Sequence, residues 1–419
     1  MDSPEKQTSQ SAKQADCRSA HAAGADCRVI SGKNKRTLFG VIFLHGLNDM
    51  HSTALPTIIP MLAQSISLTM SQAGLLNALF GLTNIFGQPV FGFFADRLKR
   101  PWFAVWGPLL SVAGASLLPL SPSYGTAFIF VGMMSAGTAL FHPQGSGSCG
   151  AAAGKTGLAF YLSLFQASGG LGSSLGPIYV VFMISMLGKP GFPLVMIPVV
   201  VLVCSYLWRH MRARAGEAVK DFGERPRPQF LNNLRYLISK VGWIVSITSV
   251  RDAVFQSIKI FLPTLLILRG SSIAAGGLIL FATTLSATCA GVAGGKLADM
   301  IGDEKVLFGT IAISPIFLIF GLHGTGVASL AMLMAGFAFL QASTPVTTAM
   351  AQKRCPESRS LVSSLAQGVS WGLANLFVTP VGIIADAAGL QATLNVVAFL
   401  PWTVTLWYGA RHFIMARKG

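Results

Sequence analysis

Acidic residues are scarce in this chain. It has 15 in 419 residues against 31 Lys and Arg, and all charged types together make up 11%. Soluble domains carry about a quarter, so this supply of charge excludes an ordinary water-covered surface. Cysteine is also sparse. The six (Cys17, Cys27, Cys149, Cys204, Cys289 and Cys355) fall where no oxidising compartment would pair them, which excludes a disulfide-built scaffold. The alternating strands of a β-barrel are missing. So are a phosphate-cradling P-loop, a zinc-binding helix motif and a nucleophile elbow. Neither an enzyme nor an ATP-driven pump is expected, and no cofactor.

What the chain has instead is apolar length. About twelve runs are each long enough to cross a bilayer as a helix, near 38–64, 71–95, 102–120, 124–143, 157–187, 191–208, 238–268, 274–297, 305–323, 326–350, 361–384 and 390–411. Lipid offers backbone amides no partner, so such runs must be helical. The net charge of +16 could suggest nucleic acid, but the bases cluster in the tails and in alternate loops. The intervening loops carry only Lys189 and Arg269. By the positive-inside rule both termini are cytoplasmic and the number of spans is even. The short loops suit a bacterial inner membrane. No nucleic-acid partner is expected, and no cleavable signal peptide precedes the first span.

The sequence divides into a polar tail over 1–36, a first bundle over 37–208, a cytoplasmic linker over 209–235, a second bundle over 236–412 and a short tail over 413–419. Arg225-Pro226-Arg227-Pro228 resists helix within the linker. The tail repeats Ala-Asp-Cys-Arg at residues 15–18 and 25–28 with His21 between, but a fourth metal ligand is missing, and no metal site is assigned.

Three correspondences join the two halves in the same order. Gly92-Phe93-Phe94-Ala95-Asp96-Arg97-Leu98-Lys99-Arg100 is echoed from Gly294 to Lys305 around Asp299. Leu55-Pro56-Thr57 is answered by Leu262-Pro263-Thr264, and Ser163-Leu164-Phe165-Gln166 by Ser364-Leu365-Ala366-Gln367. A fold of two six-helix halves follows.

Polar residues inside the spans mark the candidate pathway, because ionisable groups at membrane depth are costly. The first span places His45, Asp49, Ser52 and Pro56 on one face, and the second adds Asn77, Asn84 and Gln88. His142 closes the fourth, and Gln166 and Gln367 take matching places in the fifth and eleventh. The seventh is the most polar, with Arg251, Asp252, Gln256 and Lys259. Neighbouring residues on a helix point about 100° apart. Arg251 and Asp252 are therefore not expected to pair well, leaving a base for the cavity or for a partner such as Asp49. For each group the alternative is structural: Asp49 hydrogen-bonds a neighbouring helix, or the seventh span holds an ion-pair network fixing registry.

The hairpin at Gly92–Arg100 and its echo resemble the loop motif of the major facilitator superfamily. Within it, the Asp49–Pro56 region, Phe141-His142-Pro143 with Gly145, Phe261-Leu262-Pro263 and Gln352–Pro356 look like the fosmidomycin-resistance type of efflux transporter. The chain departs from these patterns at Lys99, at Met300 and Asp303, and at Gln144, where the subfamily tends to have a carboxylate.

The resemblance implies an all-α membrane protein, twelve transmembrane helices in two pseudo-symmetric six-helix bundles, working as a monomer by alternating access. It implies a small-molecule substrate and a proton as coupling ion; from its depth in the first span, Asp49 is the group expected to gain and lose that proton. Arg251 and Lys259 would hold an anionic group. The cytoplasmic gate would be Asp96, Arg97, Arg100 and Asp299, with Asp96 pairing nearby bases and a helix terminus of the other half. Proton-coupled efflux is the leading expectation. Proton-coupled uptake of an organic anion and a non-transporting membrane sensor stay open.

Overall fold

Apolar runs that must satisfy their own backbones become helices, and helices are the architecture here. The computed structural model describes residues 32–52, 55–67, 70–98, 101–154, 157–211, 230–271 and 273–416, and among these there is no strand. Twelve spans follow in order. The first, α1, comprises Gly32–Ser52 and Leu55–Ile66; α2 is Met70–Ala95, α3 is Trp102–Leu117, and α4 is Tyr124–Ala153. A continuous helix over Leu158–Met211 is broken at Gly188, whose φ of 69° turns the chain and separates α5 from α6. Then come α7 (Phe230–Leu268), α8 (Ile273–Ile301) and α9 (Asp303–His323), followed by α10 (Gly326–Ala342 and Thr344–Arg354). The last two are α11 (Pro356–Ala388) and α12 (Leu390–Ala416).

Local chemistry sets several of these boundaries. Ser123 and Thr126 form a reciprocal capping box at the start of α4. Asp303 and Glu304 occupy the first turn of α9, where carboxylates suit the positive end of the helix. Pro345 cannot donate to the preceding turn, and α10 restarts at Thr344. Helix begins at Gly32, inside the expected tail, and reaches to Met211 and from Phe230, inside the expected linker. A polar stretch beside a long helix is recruited into it, and composition alone does not locate that limit. Residues 212–229 and the cysteines of the tail repeat lie outside the described residues.

Six of the described helices are each long and apolar enough to cross a membrane. Large apolar side chains face outward around the bundle, among them Val327 (84% exposed), Leu194 (75%) and Phe86 (69%). A water-covered surface would not tolerate so broad an apolar belt, whereas lipid welcomes it.

Within the first half α1 packs on the α5–α6 helix and α3 on α4; within the second, α9 and α8 pack on α10. The halves meet where α8 lies on α5 and where the start of α11 lies on α2 and α4. Glycines permit the closest crossings. A Cβ on Gly137 of α4 would sit 2.3 Å from the Ser111 backbone nitrogen of α3, and one on Gly172 of α5 would sit 2.1 Å from the Gly46 carbonyl oxygen. Gly137→Val is therefore expected to destabilise the first half by roughly 1–3 kcal/mol, the usual cost of overpacking a close contact. A lowered thermal midpoint in detergent checks this; an unchanged midpoint would mean that α3 and α4 can separate freely.

Candidate functional site

The first span and the turn of α4 that carries His142 bring three ionisable side chains together. Asp49 lies between two histidines: its Oδ1 is 2.9 Å from His142 Nε2, and its Oδ2 is 3.2 Å from His45 Nε2. Asn48 Nδ2 donates to the same Oδ1 at 2.9 Å. His45 Nδ1 is 2.6 Å from the Phe165 carbonyl oxygen of α5, and the ring stacks on Phe165 with centroids 4.0 Å apart. A carbonyl oxygen only accepts, so Nδ1 carries a hydrogen. His45 is buried, while His142 keeps a quarter of its side chain exposed. The donor atoms of the three residues all lie within 4.8 Å of one another, compact enough to hold a small cation between them.

Gly169 of α5 roofs this cluster. A Cβ there would come 2.5 Å from His45 Cε1 and 2.8 Å from Asp49 Oδ2. Both neighbours are held by other bonds, so neither can give way cheaply. Gly169→Ala is expected to cost roughly 1–3 kcal/mol of stability and to lower gradient-driven transport by about 10-fold, equivalent to about 1.4 kcal/mol. Initial rates in reconstituted vesicles check this, and a wild-type rate would show that the cluster is not confined from above.

The seventh span corrects the sequence reading. Arg251 Nε and Nη2 both donate to Asp252 Oδ1, at 2.9 and 2.8 Å. The helix does splay the two Cβ atoms, but the arginine side chain is long enough to wrap across the gap. Arg251 Nη1 also reaches Ser343 and Thr347 Oγ atoms, each at 3.4 Å, beside the break in α10. It is neither a free base nor a partner of Asp49. Gln256 Nε2 donates to Asn375 Oδ1 of α11 at 3.0 Å. Lys259 has neither a hydrogen bond nor an ion pair among the described residues, and its Nζ sits 5.8 Å from the centre of the Phe255 ring.

Other candidates scatter. Asn84 donates to the Phe80 carbonyl and to Ser135 and receives Gln88, so it ties α2 to α4. Nothing is described of the Asn77 side chain or of Arg100. Gln144 Oε1 accepts the Ala104 backbone N–H at 2.7 Å, capping the start of α3. The residue type at 144 therefore answers to a helix end.

Gln166 and Gln367, paired in the sequence by the internal repeat, meet in space. Both donate to the Thr348 hydroxyl of α10, at 3.2 and 2.9 Å. One layer further, Gln352 Nε2 donates to Ser363 Oγ at 2.8 Å and to the Ser146 carbonyl of the first half at 3.2 Å. Thr348 was not singled out in the sequence, and Gln352 appeared there only as the start of the Gln352–Pro356 segment, not as a pathway residue. A polar residue in each partner helix at matching depth was the available signal.

Two carboxylates close the same end of the molecule by the same device. The backbone N–H groups of Ser360 and Leu361, in the first turn of α11, donate to Asp96 Oδ1 and Oδ2 at 2.8 and 2.9 Å. The N–H groups of Phe160 and Ala159, in the first turn of α5, donate to Asp299 Oδ2 and Oδ1 at 2.9 and 3.4 Å. Each carboxylate belongs to one half and each helix N-terminus to the other, so the positive end of a helix receives a negative charge. Burial pushes the Asp96 carboxyl up to about 6 against the opposing pull of its two N–H donors, which leaves it ionised at neutral pH. Against the expected pairing, no base among the described residues comes within ion-pair distance of Asp96, although Arg97 and Arg359 lie near enough to feel its charge. Arg97 Nη1 donates instead to the Phe93 carbonyl at 2.7 Å and its guanidinium lies over the Phe93 ring, while no ion pair to Asp96 occurs among the described residues. An arginine one residue along finds its own helix's last carbonyls first.

The sequence profile of the Major Facilitator Superfamily matches residues 39–379. The chain is 30% identical over 392 residues to the fosmidomycin resistance protein of Escherichia coli (strain K12), covering 90% of this chain and 94% of that one. It is 28% identical over 364 residues to the uncharacterized MFS-type transporter YfnC of Bacillus subtilis (strain 168), covering 85% and 88%. Among solved structures, the major facilitator transporter FucP in the outward conformation superposes with a TM-score of 0.73 at 16% identity, over 89% of this chain and 98% of that one. A bacterial homologue of the iron transporter ferroportin in its outward-facing state does so with 0.66 at 13%, over 91% and 100%. The chain thus belongs to the major facilitator superfamily and is a secondary transporter rather than an enzyme.

Proposed function

We propose that the chain is a proton-coupled exporter of a small organic anion in the inner membrane, with both termini cytoplasmic. The observation that carries this reading is the Asp49 cluster. A carboxylate flanked by two imidazoles at membrane depth gains and loses a proton, and only a contact that differs between states can shift a two-state equilibrium. The resemblance to a fosmidomycin resistance protein favours efflux of a drug-like anion. The basic excess of alternate loops supports the orientation.

On this reading the Asp96 and Asp299 bonds are the closed cytoplasmic gate, and the layer from Thr348 to Gln352 seals the path beneath it. The cavity then faces the opposite side. Protonation of the Asp49 cluster from that side and anion binding at Lys259 from the other alternate as the halves rock.

Fosmidomycin, a phosphonate, is the first probe. Cells expressing the chain are expected to grow at several-fold higher drug concentration than cells lacking it. Lys259→Gln is expected to remove most of that margin, because a charge-assisted contact to an anion is worth roughly 1.5–3 kcal/mol, or about 10- to 100-fold in affinity. Full resistance in the Lys259→Gln strain would move the anion site elsewhere. No resistance in the wild type, with the protein present in the membrane, would remove fosmidomycin as a substrate.

A further inference from the structure

A neutral imidazole has one N–H, yet His45 lies between two groups that both want one. The Phe165 carbonyl stands 2.6 Å from Nδ1, and Asp49 Oδ2 stands 3.2 Å from Nε2. With Nδ1–H committed to the carbonyl, Nε2 of a neutral ring would aim a lone pair at a carboxylate oxygen. One additional proton, on the ring or on Asp49, resolves the conflict. Among the described residues no titratable group other than His142 meets the pair. The titratable group brought by α4 is His142, which binds the other carboxylate oxygen at 2.9 Å. The α3 helix carries no titratable residue, and α5 presents a carbonyl and Gly169 at this point.

Resting on the proton reading of the Asp49 cluster, we propose that His45 is the second half of the proton site. The coupled proton lies between Asp49 Oδ2 and His45 Nε2, and its presence ties α1 to α5. When it leaves, the remaining N–H can serve Asp49 or the Phe165 carbonyl, but not both. If the carboxylate wins, the bond from α1 to α5 is lost. The first turn of α5 is where Asp299 of the other half is bound, through the N–H groups of Ala159 and Phe160. Proton occupancy and one gate contact therefore act on the same helix. His142, a quarter of whose side chain is exposed, is the route by which solvent reaches the pair. His45 is thus a positioning residue as well as a proton carrier, and the close Gly46–Gly172 crossing of α1 on α5 makes the tie stiff.

The test is nitrogen NMR of the full chain in lipid vesicles with 15N-histidine. Seven histidines are present, and His45 is assigned as the signal pair lost in His45→Gln. Between about pH 5 and 9, the range over which histidines report, Nδ1 of His45 is expected to remain protonated. Nε2 is expected to show a bound or shared proton that disappears in Asp49→Asn. An Nε2 signal identical in wild type and Asp49→Asn would overturn the shared proton. Should His45→Gln fail to fold, the signal that changes in Gly169→Ala supplies the assignment. This readout needs no substrate. An uncoupled but shared proton would sink the proposed function alone, and coupling through Asp49 without sharing would sink this inference alone.

Discussion

Replacing Asp49 with Asn is expected to abolish gradient-driven transport while leaving the protein folded and able to exchange substrate across the membrane. Asparagine has nearly the shape of the carboxylate and keeps an oxygen for His142, so the cluster can stay packed. What it loses is the capacity to change charge. Without that change neither state of the transporter is favoured by the proton gradient, and the coupling free energy falls to zero. Couplings of this kind are worth about 1–3 kcal/mol, or 5- to 150-fold, and all of that bias is expected to be lost, so that substrate only equilibrates. Substrate exchange measured in the absence of a gradient separates this from misfolding, because exchange requires the cavity and the rocking motion but not the proton. An Asp49→Asn protein that still concentrates substrate would show that the carboxylate only anchors two histidines.

The second large effect is expected at the gate. Asp96→Ala leaves the N–H groups of Ser360 and Leu361 without an acceptor, and Asp299→Ala does the same for Phe160 and Ala159. A buried unsatisfied donor costs about 1–3 kcal/mol. In the open state those donors meet water, so the cost falls on the closed state alone and shifts the population. The double variant is expected to open the gate face by at least about 10-fold, read as labelling of a cysteine introduced at Ser360. Asp96→Ala is expected to have the greater single effect, since both its bonds are short while one of those to Asp299 is 3.4 Å. Unchanged labelling in the double variant would mean that the Gln352 and Thr348 layer holds the halves together by itself.

The architecture was legible because lipid permits few alternatives. Apolar runs had to be helices, and the repeat of Gly92–Arg100 around Asp299 marked the two halves. Helix limits were less legible: charged residues such as Lys35 and Arg36 continue α1, and helix propensity does not register a polar tail as a stop. At the site, the ionisable residues stood out by type, but their pairing did not. Nothing in spacing places His142, 93 residues away, on the carboxylate of Asp49. The reach of Arg251 around its own helix to Asp252 depends on a rotamer that a helical wheel cannot show. Thr348 escaped notice because a threonine in a span is ordinary, and only the meeting of Gln166 with Gln367 makes it a junction.

The most direct measurement is proton movement in vesicles holding the purified chain and a lumenal pH probe, with fosmidomycin added outside. Entry of the drug in exchange for a proton is expected to make the lumen more alkaline in the wild type and to leave it unchanged in Asp49→Asn. Acidification of the lumen would make the chain a symporter, and drug entry with no change of pH would contradict proton coupling altogether.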